Sequence, residues 1–88
     1  MKVNSNYVVK VLAGEPILVH QDEHNVDFSK VITLNEIALL IFEQIKNGFS
    51  LDEIVAAILA EYEVDEAVAR ADAIEFIEKL KELGIVND

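Results

Sequence analysis

The chain lacks cysteine altogether. Without thiols it can form neither disulfide bonds nor a thiol nucleophile, and zinc sites built on cysteine are excluded as well. Proline occurs once and glycine three times, while 52% of the 88 residues are hydrophobic. A chain of this size forms one compact domain that buries roughly 60 to 65% of its unfolded surface. Without disulfide bonds, its stability must come from packing. We therefore expect residues 1–88 to form one domain in a reducing compartment, by default the cytoplasm.

Long apolar runs are also missing. The sequence has no stretch of about 18 apolar residues and no basic segment leading into an apolar one. These patterns are typical of a membrane span and of a signal peptide, respectively. The sequence thus predicts no association with a membrane.

Basic residues are scarce. The chain has seventeen acidic and seven basic residues, which gives a formal net charge of −10. Residues 35–88 hold thirteen of the acidic and four of the basic residues. Proteins that bind nucleic acid draw much of their affinity from Lys and Arg side chains at the phosphates. The composition therefore argues against a nucleic-acid partner.

The amino-terminal third is rich in β-branched residues and predicts a small sheet. Residues 7–12 and 17–20 have the composition of two strands around a turn at 13–16. Residues 21–27 are polar and loop-like, and residues 30–32 predict a third, short strand. We expect a three-stranded antiparallel sheet.

Capping patterns indicate where helices start in the rest of the chain. Thr33 and Ser50 are each followed three residues later by Glu, which is the pattern of a capping box, and Asp65 is a third N-cap candidate. The predicted helices span residues 34–46, 50–62 and 65–83, with Gly48 and Gly84 ending the first and third. The expected fold class is α+β, with the sheet followed by a three-helix bundle.

Each predicted helix has an apolar face at helical spacing, and we assign these faces to the core. They comprise Leu34, Ala38, Ile41, Phe42 and Ile45 in the first helix, Ile54, Val55, Ile58, Leu59 and Tyr62 in the second, and Ala69, Ala73, Phe76, Leu80 and Leu83 in the third.

A second stripe runs along the third helix beside its core face. Two isoleucines flanked by two basic residues are unusual for a solvated surface, so the stripe either contacts a partner or packs beneath the sheet. It consists of Arg70, Ile74, Ile77 and Lys81.

The third strand is a possible binding edge. Val31 and Ile32 are adjacent, β-branched and apolar, and no proline blunts the strand. Such an edge accepts an extended peptide through main-chain hydrogen bonds. A loop or a second copy of the chain, forming a homodimer, would cover the same edge.

Several segments, in this order and spacing, resemble the PqqD family. They are residues 32–36 (ITLNE), residues 48–55 (GFSLDEIV) with Glu61 and Tyr62, and residues 71–77 with Leu80 and residues 84–86. The resemblance covers nearly the whole chain from Tyr7 to Val86. One departure is Phe42, where many members of the family have Trp.

This resemblance implies a winged-helix-like fold and a function in peptide modification. Members of the family bind the leader segment of a ribosomally made precursor peptide and present it to a modifying enzyme, often a radical SAM enzyme. The leader adds as a strand to the third strand and lies against the third helix. The matching residues here are Val31, Ile32 and Thr33, with Arg70, Ile74 and Ile77. Arg70 and Lys81 would then favour an acidic leader.

Two other classes of binding protein have to be weighed. A winged-helix DNA-binding regulator would use residues 65–83 for recognition, but these hold six acidic and three basic residues. An acyl carrier would attach its phosphopantetheine arm to a serine at a helix start. Ser50 has that position, but Phe49 stands where carriers have Asp, and carriers lack an amino-terminal sheet.

Catalytic and metal sites have little support in the sequence. His20 and His24, with Asp22 and Glu23 between them, offer possible metal ligands, but they fall at a strand end and in a polar loop where such groups are normally solvated. No Ser-His-acid arrangement or phosphate-binding glycine loop is evident. We predict a protein without catalytic residues, bound metal or cofactor.

Overall fold

A three-stranded antiparallel sheet followed by three helices makes up the body of the protein, which confirms the predicted α+β class. The computed structural model describes residues 1–22 and 25–87. Its elements in chain order are β1 (Lys2–Val3), β2 (Tyr7–Leu12), β3 (Glu15–Gln21), β4 (Val26–Thr33), α1 (Glu36–Lys46), α2 (Leu51–Glu61), α3 (Glu66–Glu82) and β5 (Val86–Asn87).

The turn between β2 and β3 is shorter than predicted. Only Ala13 and Gly14 lie between the strands, and both have positive φ angles of 53° and 82°. This is the backbone that a two-residue type I′ hairpin requires. Glu15 and Pro16, predicted as turn residues, belong to β3, where a proline is tolerated near the start of a strand.

β4 is longer than the predicted strand at 30–32. It begins at Val26, opposite Gln21 of β3, so residues 21, 26 and 27, which we predicted as part of a polar loop, belong to strands. Between the pairs Leu18–Ile32 and His20–Asp27 the register shifts, because two steps along β3 correspond to five along β4. β4 therefore carries a bulge, which bends an edge strand and interrupts its pairing.

The first helix begins two residues later than its predicted cap. Thr33 is still part of β4, where it lies opposite Ile17. The side chain of Asn35 accepts a hydrogen bond from the backbone N–H of Ala38 at 2.7 Å and is the N-cap. The capping box predicted at Thr33 is thus wrong, because strand pairing holds that residue in the sheet.

The second and third helices begin as predicted. Ser50 Oγ accepts from the N–H of Glu53 at 3.3 Å, and Glu53 Oε1 accepts from the N–H of Ser50 at 3.0 Å, which completes a capping box. Asp65 occupies the N-cap position of α3 but makes no capping hydrogen bond with its side chain. Gly48 and Gly84 follow α1 and α3, as expected.

A hydrogen bond ties the end of α2 to the start of α1. The hydroxyl of Tyr62 donates to Glu36 Oε2 at 3.4 Å. Partial burial of the phenol, and then the nearby Glu36 carboxylate, raise the pKa of Tyr62 above its ordinary value. The charged form of the phenol is disfavoured in both cases.

The core lies between the sheet and the three helices. Its fully buried large side chains include Leu18 of β3 and Phe42 of α1. Most predicted core positions are buried or packed against the core, but Leu83 is 49% exposed, since it lies at the C-cap of α3. None of the described helices combines the length and apolar character needed to span a bilayer.

The two ends of the chain pair with each other, a feature that the sequence did not predict. β1 and β5 form a separate two-stranded antiparallel sheet, with Lys2 opposite Asn87 and Val3 opposite Val86. Strands of two residues are too short to show a periodic pattern, so only the tertiary structure identifies them.

Candidate functional site

β4 forms an edge of the three-stranded sheet, whose strand order is β2-β3-β4. The N–H of Leu34 donates to the carbonyl of Pro16 at 3.0 Å. Hydrogen-bonded and non-hydrogen-bonded pairs alternate in antiparallel sheets, so Ile32 bonds toward β3 while the N–H and C=O of Thr33 face away from it. In the described part of the chain no strand pairs with that outer side of β4.

An apolar cavity lies beside this edge. Its volume is about 340 Å³, and it is bounded by β2, β4 and the carboxyl end of α3. The lining residues are Tyr7, Val31, Ile32, Leu83 and Ile85. Side chains of a strand added to β4 would find an apolar environment here.

A cleft of about 390 Å³ separates the start of α1 from the middle of α3. Four of its residues are apolar and form what we call the floor: Ile37, Ala38, Ile41 and Phe76. The other four are polar or charged and form the rim: Asn35, Asp72, Glu75 and Lys79. The cleft therefore combines an apolar surface with charges of both signs.

The cavity and the cleft lie along one side of α3. Asp72, Phe76, Lys79 and Leu83 follow one another at spacings of three and four residues, which places them on a common face. The chain opposite them runs from Val31 through the end of β4 into α1. We call the cavity and the cleft together the groove. From Asp72 to Leu83 the helix rises roughly 16 Å, enough for about five extended residues.

Two of the three predicted site residues on β4 lie at this groove. Val31 and Ile32 line its apolar cavity. Thr33 is exposed and presents its backbone polar groups at the free edge. The structure thus brings Val31 and Ile32 together with the carboxyl end of α3, whereas Thr33 lines neither the cavity nor the cleft.

The predicted stripe on α3 lies on another side of that helix. At about 100° per residue, Ile74 is about 160° round the helix from Asp72. Ile77 is only 5% exposed and belongs to the core, whereas Ile74 is 37% exposed. None of Arg70, Ile74, Ile77 and Lys81 lines the cavity or the cleft.

Arg70 is engaged by a neighbouring helix. Its guanidinium Nη1 donates to Asp52 Oδ1, near the start of α2, at 2.8 Å. Both side chains remain partly or largely accessible to solvent, so the pair is a surface salt bridge of small energy. Arg70, which we expected to favour an acidic leader, is therefore already paired with a carboxylate of this chain.

Several groove residues were not identified from the sequence. Phe76 and Leu83 were assigned to the core from their helical spacing, yet Phe76 is only half-buried and Leu83 half-exposed. Tyr7 and Ile85 come from distant parts of the chain. The position of Leu83 next to a helix-ending glycine was the one local signal that it stands apart from the packed interior.

The possible metal ligands do not form a described site. Glu23 and His24 lie outside the described residues. The ring of His20 packs edge-on against Tyr7, with centroids 5.1 Å apart. Within residues 1–22 and 25–87 no group of three or more His, Asp or Glu side chains is arranged to hold a metal ion.

Comparison with known proteins finds both a family and similar structures. The model of the family described as "Coenzyme PQQ synthesis protein D (PqqD)" matches residues 15–86. No curated protein matches this chain. A structure of TbiB1 in complex with the TbiA(β) leader peptide is 25% identical, covers 100% of both chains and superposes with a TM-score of 0.77. The fold is also that of lasso peptide synthetase B1 complexed with the leader peptide, at 22% identity, TM-score 0.79 and coverage of 99% and 96%.

Proposed function

Since this chain belongs to the PqqD family, we propose that it binds the leader segment of a ribosomally synthesised precursor peptide and presents it to a modifying enzyme. The observation that carries the proposal is the free edge of β4 beside an apolar cavity. The similarity to TbiB1, whose structure contains a leader peptide, supports it over the full length of the chain. In this proposal residues 1–88 act as a single binding domain.

Strand addition gives the leader both affinity and register. The outward N–H and C=O of Thr33 bond to the main chain of the leader, and Val31 and Ile32 offer apolar surface to its side chains. Leu83, half-exposed in the free protein, covers the leader from the helix side. These contacts use backbone and apolar groups, so the leader is recognised by its extended shape and a few apolar side chains.

The face of α3 that contacts the leader is, in our proposal, the one that lines the groove. The stripe of Arg70, Ile74, Ile77 and Lys81 stays a prediction from the sequence, and the burial of Ile77 favours a core role for that residue. The two faces lie on opposite sides of one helix, so substitutions distinguish them.

The chain acts in the cytoplasm without a cofactor or catalytic residues of its own, and it delivers the leader to a radical SAM enzyme or another modifying enzyme. A second copy of the chain is the competing occupant of the β4 edge. Size-exclusion chromatography with and without leader peptide distinguishes a homodimer, which the peptide would dissociate, from a monomer.

The proposal is tested by removing one edge donor. Thr33→Pro eliminates an N–H that faces away from β3, so the sheet keeps its own hydrogen bonds. The leader loses one main-chain hydrogen bond and clashes with the proline ring. The loss of the hydrogen bond and the steric conflict together predict at least about tenfold weaker binding. Calorimetric titration with the leader segment of the precursor peptide measures the affinity.

Val11→Pro is the matched control. Val11 lies on β2, the other edge of the same sheet, is exposed, and by the same alternation presents its N–H outward. The Val11→Pro variant should leave the affinity for the leader unchanged. Equal losses from the two proline variants, or an unchanged affinity in a folded Thr33→Pro protein, would contradict binding at β4.

A further inference from the structure

The rim of the cleft carries an uneven charge. Asp72 and Glu75 are negative and Lys79 is positive, and the two acidic residues lie farther from the apolar cavity than the lysine does. A peptide that follows the groove away from β4 therefore passes Lys79 before it reaches the acidic end.

The apolar floor of the cleft favours binding of an apolar side chain. Phe76 and Ile37 are half-buried in the free protein, so they retain apolar surface that an occupant would cover. A side chain on this floor has its neighbours in sequence at the rim. Charge on those neighbours then meets Asp72 and Glu75.

The cleft and the cavity of the proposed leader site follow one another along the same face of α3. β4 passes directly into the N-cap of α1, which borders the cleft, and α3 lines both parts of the groove. A leader anchored at Leu83 reaches Asp72 after about five extended residues. The same peptide that adds to β4 is thus the occupant best placed to fill the cleft.

We propose that the leader carries a Lys or Arg beside an apolar residue, about five residues from the segment added to β4, and that Asp72 and Glu75 select this positive charge. The inference rests on the proposed function and names the class of leader. It reverses the expectation from the sequence that Arg70 and Lys81 favour an acidic leader. Arg70 is held by Asp52, and neither basic residue of the stripe lines the groove.

A random-peptide display library is the probe that tests the inference. Peptides are selected against the wild-type chain, Asp72→Lys, Glu75→Lys and the control Glu78→Lys. Glu78 is exposed on the same helix and does not line the cleft. Its reversal makes the same change in net charge as the two cleft variants, so it is the control for charge alone. Peptides from the wild-type and control selections should share a Lys or Arg next to an apolar residue, and the two cleft variants should lose this preference or select Asp or Glu instead.

Binding measurements on a selected peptide give the size of the effect. Reversal of Glu75 should weaken it about three- to tenfold, Glu78→Lys should change it less than about twofold, and the difference should shrink at high salt, since partly exposed ion pairs are weak and screened. Replacing the basic residue of the peptide by Glu should restore binding to Glu75→Lys.

The outcomes separate this inference from the proposed function. Peptides whose binding is lost in Thr33→Pro but which show no preference for Lys or Arg would contradict the charge selection and still support strand addition. The cleft would then be assigned to another partner, such as a basic loop of the enzyme. Selected peptides that are indifferent to Thr33→Pro, or a library that yields no binder, overturn both.

Discussion

The role of Ile77 gives the sharpest test of the assignment of faces on α3. Ile77 is 5% exposed and packed in the core, so Ile77→Ala should lower stability and spare leader binding. The substitution removes three carbon groups at about 0.8 kcal/mol each, and the cavity left behind raises the cost into the range of about 2 to 5 kcal/mol. For a domain of this size, each kcal/mol shifts the melting temperature by about 4 to 8 °C. A fall of at least about 8 °C is expected.

Two variants on the same helix calibrate this result. Ile74→Ala changes the same residue type at a position 37% exposed and outside the core cluster, so it should cost less than about 1 kcal/mol. Leu83→Ala removes a half-exposed groove residue and should show the opposite pattern, with leader binding weaker by about 1 kcal/mol and a smaller change in melting temperature.

The measurements are thermal unfolding by circular dichroism and calorimetric titration of the leader well below the melting temperature. If Ile77→Ala leaves the melting temperature near that of Ile74→Ala but weakens the binding of folded protein, Ile77 contacts the leader. The groove would then have been placed on the wrong side of α3.

The remaining predictions concern caps and charge. Ser50→Ala and Asn35→Ala should each lower the free energy of unfolding in urea by about 1 kcal/mol, whereas Asp65→Ala should cost less, because its side chain makes no capping bond. Equal losses at all three would mean that the capping bonds are not the source of the effect. A double-mutant cycle on Arg70 and Asp52 should give a coupling below about 1 kcal/mol in stability, with leader affinity unchanged. A large loss of affinity in Arg70→Ala would return the stripe to the binding site.

Local patterns were enough to predict the three-stranded sheet, the three helices and their order. The β-branching of residues 7–12 and 17–20, the capping box at Ser50 and the apolar faces of the helices all depend on residues a few positions apart. The edge residues Val31 and Ile32 were found in the same way. A family resemblance then pointed to the peptide partner.

Where local signals competed, tertiary contacts decided. Thr33 has a capping-box spacing, yet its pairing opposite Ile17 keeps it in β4 and leaves Asn35 as the cap. Leu83 fits the core face of α3, yet it ends the helix half-exposed beside β4. In both cases the periodicity is satisfied by more than one arrangement, and long-range packing selects between them.

The sequence also did not predict which side of α3 faces the groove. Helical spacing shows that Asp72, Phe76, Lys79 and Leu83 share one face and that Arg70, Ile74, Ile77 and Lys81 share another. Which face turns toward β4 depends on the rotation of the helix about its axis. That rotation is set by the packing of Ala69, Ala73, Ile77 and Leu80 into a core built from all three helices and the sheet. The sequence by itself determined the three strands of the main sheet, the three helices with their faces, and the acidic charge. The packed core decided which face of α3 turns toward β4.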